Sequence, residues 1–199
     1  MRPPVVVFAV GNPGRGDDAL GPLLADRLAR EGLPDVEVIA DFQLQVEHAL
    51  DLEGRRFAVF VDAALDCDGP FEVRAVVPRR DASHTTHALS PAAVLETYVR
   101  VTGLEPPPAW CLAVRGERFE LGEGLTAQAQ RNFEAAWTRL LQLGTSRQGS
   151  GAPTGTATSR PACLTPTYRG RRRLSPTKTA MPHQISTNPA ARGPAKGSR

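Results

Sequence analysis

The run Val5-Val6-Val7-Phe8-Ala9-Val10, followed at once by Gly11-Asn12-Pro13-Gly14-Arg15-Gly16-Asp17-Asp18, constrains this chain more than any other stretch. An unbroken apolar run of this length describes a strand buried on both faces, as in the centre of a parallel sheet. The glycines and proline that follow let the backbone turn where a side chain would clash. Two adjacent carboxylates then open a helix over Asp17–Glu31, whose Leu20, Leu23, Leu24 and Leu28 recur at helical spacing before Gly32 ends it. A carboxylate pair at the exit of a buried strand needs a partner, and a cation is the natural one.

Strand and helix patterns continue to alternate. A second strand over Val36–Ala40 is closed by Asp41, and a short helix with Val46, Ala49 and Leu50 on one face follows. A third strand over Phe57–Val61 is closed by Asp62, a fourth spans Phe71–Val77, and a fifth spans Ala109–Val114. Ser90-Pro91 marks a helix start with proline at its first position, giving a helix over 91–102. Thr126 caps a last helix that reaches Leu143, with Gly144 just past its end. The order predicts an α/β three-layer sandwich: a mostly parallel twisted sheet of about five strands with helices on both faces. Ligands of such sheets sit beyond the carboxyl ends of the strands. Asp18, Asp41 and Asp62 all follow strand ends, and the loop with His84 and His87 is expected at the same rim.

The chain divides near residue 144. Residues 145–199 carry 10 of the 24 Lys+Arg and none of the 21 Asp+Glu, so residues 1–144 are acidic, with a net charge of −7. The later segment is rich in Pro, Gly, Ser and Thr and has no apolar period. It cannot bury enough surface to offset its ordering entropy and is expected to be a disordered basic tail. No apolar run approaches the roughly 18 residues of a membrane span, and the N-terminus makes a poor signal peptide. Cys67, Cys111 and Cys163 are odd in number and widely spaced, which fits a reducing cytoplasm and no disulfide framework.

The candidate site residues follow from type and place. Asp17 takes the expected capping position and leaves Asp18 for other work, with the helix N-terminus lowering its pKa. A charge such as Asp62 at the end of a buried strand is costly unless paired or metal-bound. His84 and His87 are equivalent by composition. Two carboxylates and one imidazole suit a borderline divalent ion such as nickel, zinc or iron, and leave coordination positions open. Glu47-His48 reads as a solvated helix face. Cys67 lies between two aspartates that raise its thiol pKa, so it is a poor nucleophile. No Gly-x-Ser-x-Gly elbow is present.

These motifs resemble the hydrogenase maturation endopeptidases, which trim the C-terminus of the nickel–iron hydrogenase large subunit. The matching elements are Val10-Gly11-Asn12 through Gly16-Asp17-Asp18 with Gly21 and Leu24, then Phe60-Val61-Asp62-Ala63, then Thr85-Thr86-His87. The resemblance implies nickel ligands at Asp18, Asp62 and His87, which selects His87 over His84. It also implies a functional aspartate at Asp41, although Phe42-Gln43 stands where the family usually shows two glycines. Gly11, Asn12 and Gly16 then form the turn. The resemblance implies a cytoplasmic, monomeric peptidase of aspartic type that touches neither membrane nor nucleic acid. Its nickel arrives in the precursor and is not permanently bound. The run Phe42-Gln43-Leu44-Gln45-Val46-Glu47 is similar to the subset serving soluble NAD-linked hydrogenases.

Three other readings compete. Peptidyl-tRNA hydrolase shares the Gly-Asn-Pro-Gly opening, but no histidine precedes His48 and the acidic body suits RNA poorly. A dinucleotide fold requires Gly-x-Gly-x-x-Gly, and paired aspartates would repel pyrophosphate. A nickel chaperone or sensor would use the same three ligands without cleavage.

Overall fold

In the computed structural model, residues 2–80 and 89–145 are described in full and residues 171–174 by their backbone. The strands are β1 (Val5–Val10), β2 (Val36–Asp41), β3 (Phe57–Ala64), β4 (Phe71–Val76), β5 (Ala109–Arg115) and β6 (Arg171–Leu174). The helices are α1 (Leu20–Glu31), α2 (Pro91–Thr102) and α3 (Ala127–Thr145), with 3₁₀ turns at Gly16–Ala19 and Val46–Leu52. The sheet order is β4-β5-β3-β1-β2-β6. β1 pairs in parallel with β2 and β3, and β3 with β5, while β4 and β6 add antiparallel edges.

The expected three layers are present because every central strand is apolar on both faces. Val5, Val7, Ala9, Val59 and Val61 pack against Leu20, Leu24 and Leu28 of α1 and Trp137 and Leu140 of α3. Val6, Phe8, Val10, Ile39 and Phe60 pack against Ala49 and Leu52 of the second 3₁₀ turn and Val94, Leu95 and Tyr98 of α2. Ser90 caps α2 by accepting from the Ala93 amide, and Thr126 caps α3 by accepting from the Ala129 amide.

Strand order fixes where a ligand can bind. From β1 the chain crosses to β2 on one side, while β3 pairs with β1 on the other. The switch point of this α/β sheet therefore lies between the carboxyl ends of β1 and β3. Helix α1 approaches that end closely. A Cβ on Gly21 would stand 2.1 Å from the Val10 carbonyl oxygen, and one on Gly11 (φ +137°) would stand 2.1 Å from that of Asp18. Neither position admits a side chain without moving the helix.

Several expectations are corrected. The first helix opens with a 3₁₀ turn over Gly16–Ala19, and regular α-helix begins at Leu20. In the second 3₁₀ turn Val46 and Leu50 are exposed, and His48, Ala49, Asp51 and Leu52 are buried. β3 runs on to Ala64, which places Asp62 inside the strand. Gly144 lies within the last turn of α3. Beyond the expected boundary, β6 adds a strand to the free side of β2, within the segment read from composition as wholly disordered. His84 and His87 lie outside the described residues, as does most of 145–199.

Gly21→Ala is expected to lower stability by about 1–3 kcal/mol through overpacking. Gly124→Ala, at a site with no neighbour within 4 Å, should stay within about 0.5 kcal/mol. Denaturant midpoints of the two variants check the contrast.

Candidate functional site

Asp41 and Asp62 sit in one row across the sheet. Asp41 is the register partner of Val10, and Ala9 pairs with Val61, so Asp62 lies on the far side of Val10. Alternation puts all three on the face that carries Phe8, Ile39 and Phe60, the face covered by α2. Asp18 reaches the same end from the loop after β1. The Asn12 amide donates to its Oδ2 at 2.8 Å. The chain thus gathers three buried carboxylates, each at most 5 % exposed, at the carboxyl ends of β1, β2 and β3.

Each carboxylate has a different set of contacts. Asp62 Oδ1 accepts from the Ala63 amide at 2.8 Å. Asp41 Oδ1 accepts from the Phe42 amide at 2.7 Å, and its Oδ2 from Gln45 Nε2 at 3.4 Å. His48 Nε2 stands 3.8 Å from the same Asp41 oxygen. The Gln45 amide donates to His48 Nδ1 at 2.8 Å, so in the neutral ring the proton is on Nε2 and faces Asp41. The sequence reading of His48 as a solvated residue is therefore wrong: it is buried and stands beside Asp41. The signal available was Gln45 three residues before His48, a reciprocal cap in which each side chain meets the other's backbone.

Asp18 differs from the others. Its Oδ1 is buried and has no hydrogen-bond partner among the described residues. Burial raises its pKa above the ordinary carboxylate value and outweighs the opposing Asn12 amide and Arg15 charge. This reverses the expectation that the helix N-terminus would lower it.

Asp17 does not cap the helix. The first 3₁₀ turn and α1 have no side-chain cap. Asp17 Oδ2 accepts from the amides of Glu117 (2.7 Å) and Arg118 (3.1 Å) and from the Thr126 hydroxyl (3.0 Å), and Oδ1 accepts from the Thr126 amide (2.7 Å). Burial alone would raise its pKa, but these donors prevail and hold it low. Arg15 Nε donates to the Phe119 carbonyl, and the Gly122 amide to that of Gly14. The loop between β5 and α3 is thereby fastened beside Asp18.

No group of three His, Cys, Asp or Glu side chains among the described residues is placed to hold a metal ion. Leu89, where the described chain resumes two residues after His87, donates its amide to the Leu44 carbonyl, just beyond Asp41.

Solved structures share this arrangement of strands and helices. A NiFe hydrogenase maturation protease, HycI from Thermococcus kodakarensis KOD1, superposes with a TM-score of 0.55 at 22 % identity, covering 73 % of this chain and 94 % of that one. The hydrogenase maturating endopeptidase HybD from E. coli gives 0.53 at 24 %, covering 72 % and 91 %. The chain has the hydrogenase maturation protease fold. An endopeptidase from Escherichia coli, solved in solution, extends the likeness to this protease fold, with a TM-score of 0.54 at 26 % identity over 71 % of this chain and 90 % of that one. No protein-family model and no curated protein matches the sequence. No helix among the described residues is long and apolar enough to cross a membrane.

The two neighbouring aspartates should separate in stability measurements. Asp17→Ala strands the amides of Glu117, Arg118 and Thr126, the last of them buried, and is expected to cost about 3 kcal/mol. Asp17 is held low, so its stabilisation is complete above pH of about 4 and fades below it. Asp18→Asn removes a charge that burial disfavours, and should unfold at the same or higher denaturant concentration at neutral pH. Chemical unfolding of both variants at neutral and acid pH checks this.

Proposed function

We propose that this protein is an endopeptidase that removes the C-terminal extension of a nickel–iron hydrogenase large-subunit precursor, with the nickel inserted in that precursor as its recognition element. One observation carries the reading: a buried carboxylate oxygen, Asp18 Oδ1, has no hydrogen-bond partner among the described residues and stands at the switch point of a hydrogenase maturation protease fold. Leaving such an atom unsatisfied is costly, and natural proteins keep few of them. A divalent cation would supply the missing partner and hold Asp18 ionised against its burial.

In this reading Asp18, Asp62 and His87 complete the coordination of a nickel ion brought by the substrate. Oxygen and imidazole donors suit that ion. The anchoring of Leu89 to Leu44 supports including His87. The ion polarises the scissile carbonyl or a water molecule. Asp41, held by the Phe42 amide and Gln45 with His48 beside it, is the group proposed to position that water or take its proton. Asp62 keeps one oxygen on the Ala63 amide.

Incubation of the purified protein with nickel-loaded precursor tests the proposal through the mobility shift of the large subunit. The intact chain should trim it. Asp18→Asn and His87→Ala should each slow trimming by about a hundredfold or more, and nickel-free precursor should stay uncut. Wild-type rates in both variants would refute the ligand assignment. Nickel uptake without cleavage by the intact chain would favour the chaperone or sensor.

A further inference from the structure

Among the described residues the parallel core β5-β3-β1-β2 has two edges, and β6 occupies the one on the side of β2 that faces away from β1. Val38, Ile39, Ala40 and Asp41 face Leu174, Arg173, Arg172 and Arg171 in antiparallel register. The Gly11 amide donates to the Asp41 carbonyl on the β1 side. Backbone groups alternate along a strand, so those of Val38 and Ala40 face outward to β6. A row of outward N–H and C=O groups is a template for any extended segment.

Two features connect this edge with the site. First, the row ends at Asp41, opposite Arg171, so a strand lying there has one end beside the three carboxylates. Second, the charges are complementary. Residues 1–144 carry a net charge of −7, whereas 145–199 contain 10 Lys+Arg and no acidic residue. Three consecutive arginines form most of the docked strand.

We propose that the outer edge of β2 is the docking edge for the extended C-terminal segment of the precursor, and that residues 171–174 hold it as an intramolecular competitor. The proposal rests on the peptidase reading for the identity of the incoming segment. Main-chain pairing supplies affinity with little dependence on sequence, as in other cases of strand addition. A tethered strand competes at high effective concentration. The tail therefore lowers apparent affinity for precursor and leaves the chemical step untouched.

The test uses the full chain and Arg172→Pro, which removes the N–H opposite Ala40 and leaves the inner strands alone. Replacing Arg171, Arg172 and Arg173 together by glutamate gives a second variant that acts through charge. Hydrogen exchange at the Val38 and Ala40 amides is read first. It should speed up in both variants, with β1 amides unchanged as the control for folding. Next, a synthetic peptide spanning residues 168–177 is added to each variant, and should slow exchange at those two amides again. In processing assays the variants should show a several-fold lower KM for nickel-loaded precursor at unchanged kcat, and the peptide should restore the higher KM competitively. Equal exchange in all chains, or altered exchange with unchanged KM, would overturn the proposal while leaving the peptidase reading in place. If no chain cuts the precursor, the peptidase reading falls. The docking edge is then judged by a peptide of the precursor's C-terminal segment: protection of the Val38 and Ala40 amides sustains it, and no protection overturns it.

Discussion

Helix α1 lies against the end of β1 because residues 11 and 21 have no side chains, and the rest of the site depends on that contact. With a Cβ at either position, a backbone carbonyl would stand 2.1 Å away. The tight crossing brings Asp18 over the carboxyl end of β1, within reach of the Asn12 amide. It also brings Asp17 against the loop between β5 and α3. A looser crossing would keep the same sheet and lose both placements.

The adjacent aspartates then face opposite electrostatic conditions. Asp17 is surrounded by donors and is held ionised by them. Asp18 has one amide on one oxygen and, among the described residues, no hydrogen-bond partner on the other, so burial dominates. Sequence proximity is no guide here, because the 3₁₀ turn points consecutive side chains in different directions. Asp17 spends its hydrogen-bonding capacity on the scaffold. Asp18 retains capacity for a ligand, and Asp41 and Asp62 stand in one row of the sheet nearby.

Much of this was legible in the residues. Unbroken apolar runs such as Val5–Val10 and Phe57–Val61 can only be central strands, and they fixed the sheet and its carboxyl rim. Asp18, Asp41 and Asp62 could be placed at that rim from strand ends alone. His48 could not. Val46, Ala49 and Leu50 mimic an α-helical face, but a three-residue turn buries His48 with Asp51 and Ala49 with Leu52, and turns Leu50 outward. Nor could the partners of Asp17, which lie 100 or more residues away in sequence. β6 has no apolar pattern to announce it, since an open edge recruits a strand through its backbone. The choice of His87 over His84 came from family resemblance, and both lie outside the described residues.

In the proposed function, oxygen donors of this chain complete the coordination of an ion held by another protein. X-ray absorption at the nickel edge, on nickel-loaded precursor alone and after mixing with this protein, tests it most directly. The account predicts new oxygen or nitrogen scatterers in the first coordination sphere on mixing, fewer of them with Asp18→Asn. A nickel environment identical before and after mixing, while precursor is still trimmed, would contradict it.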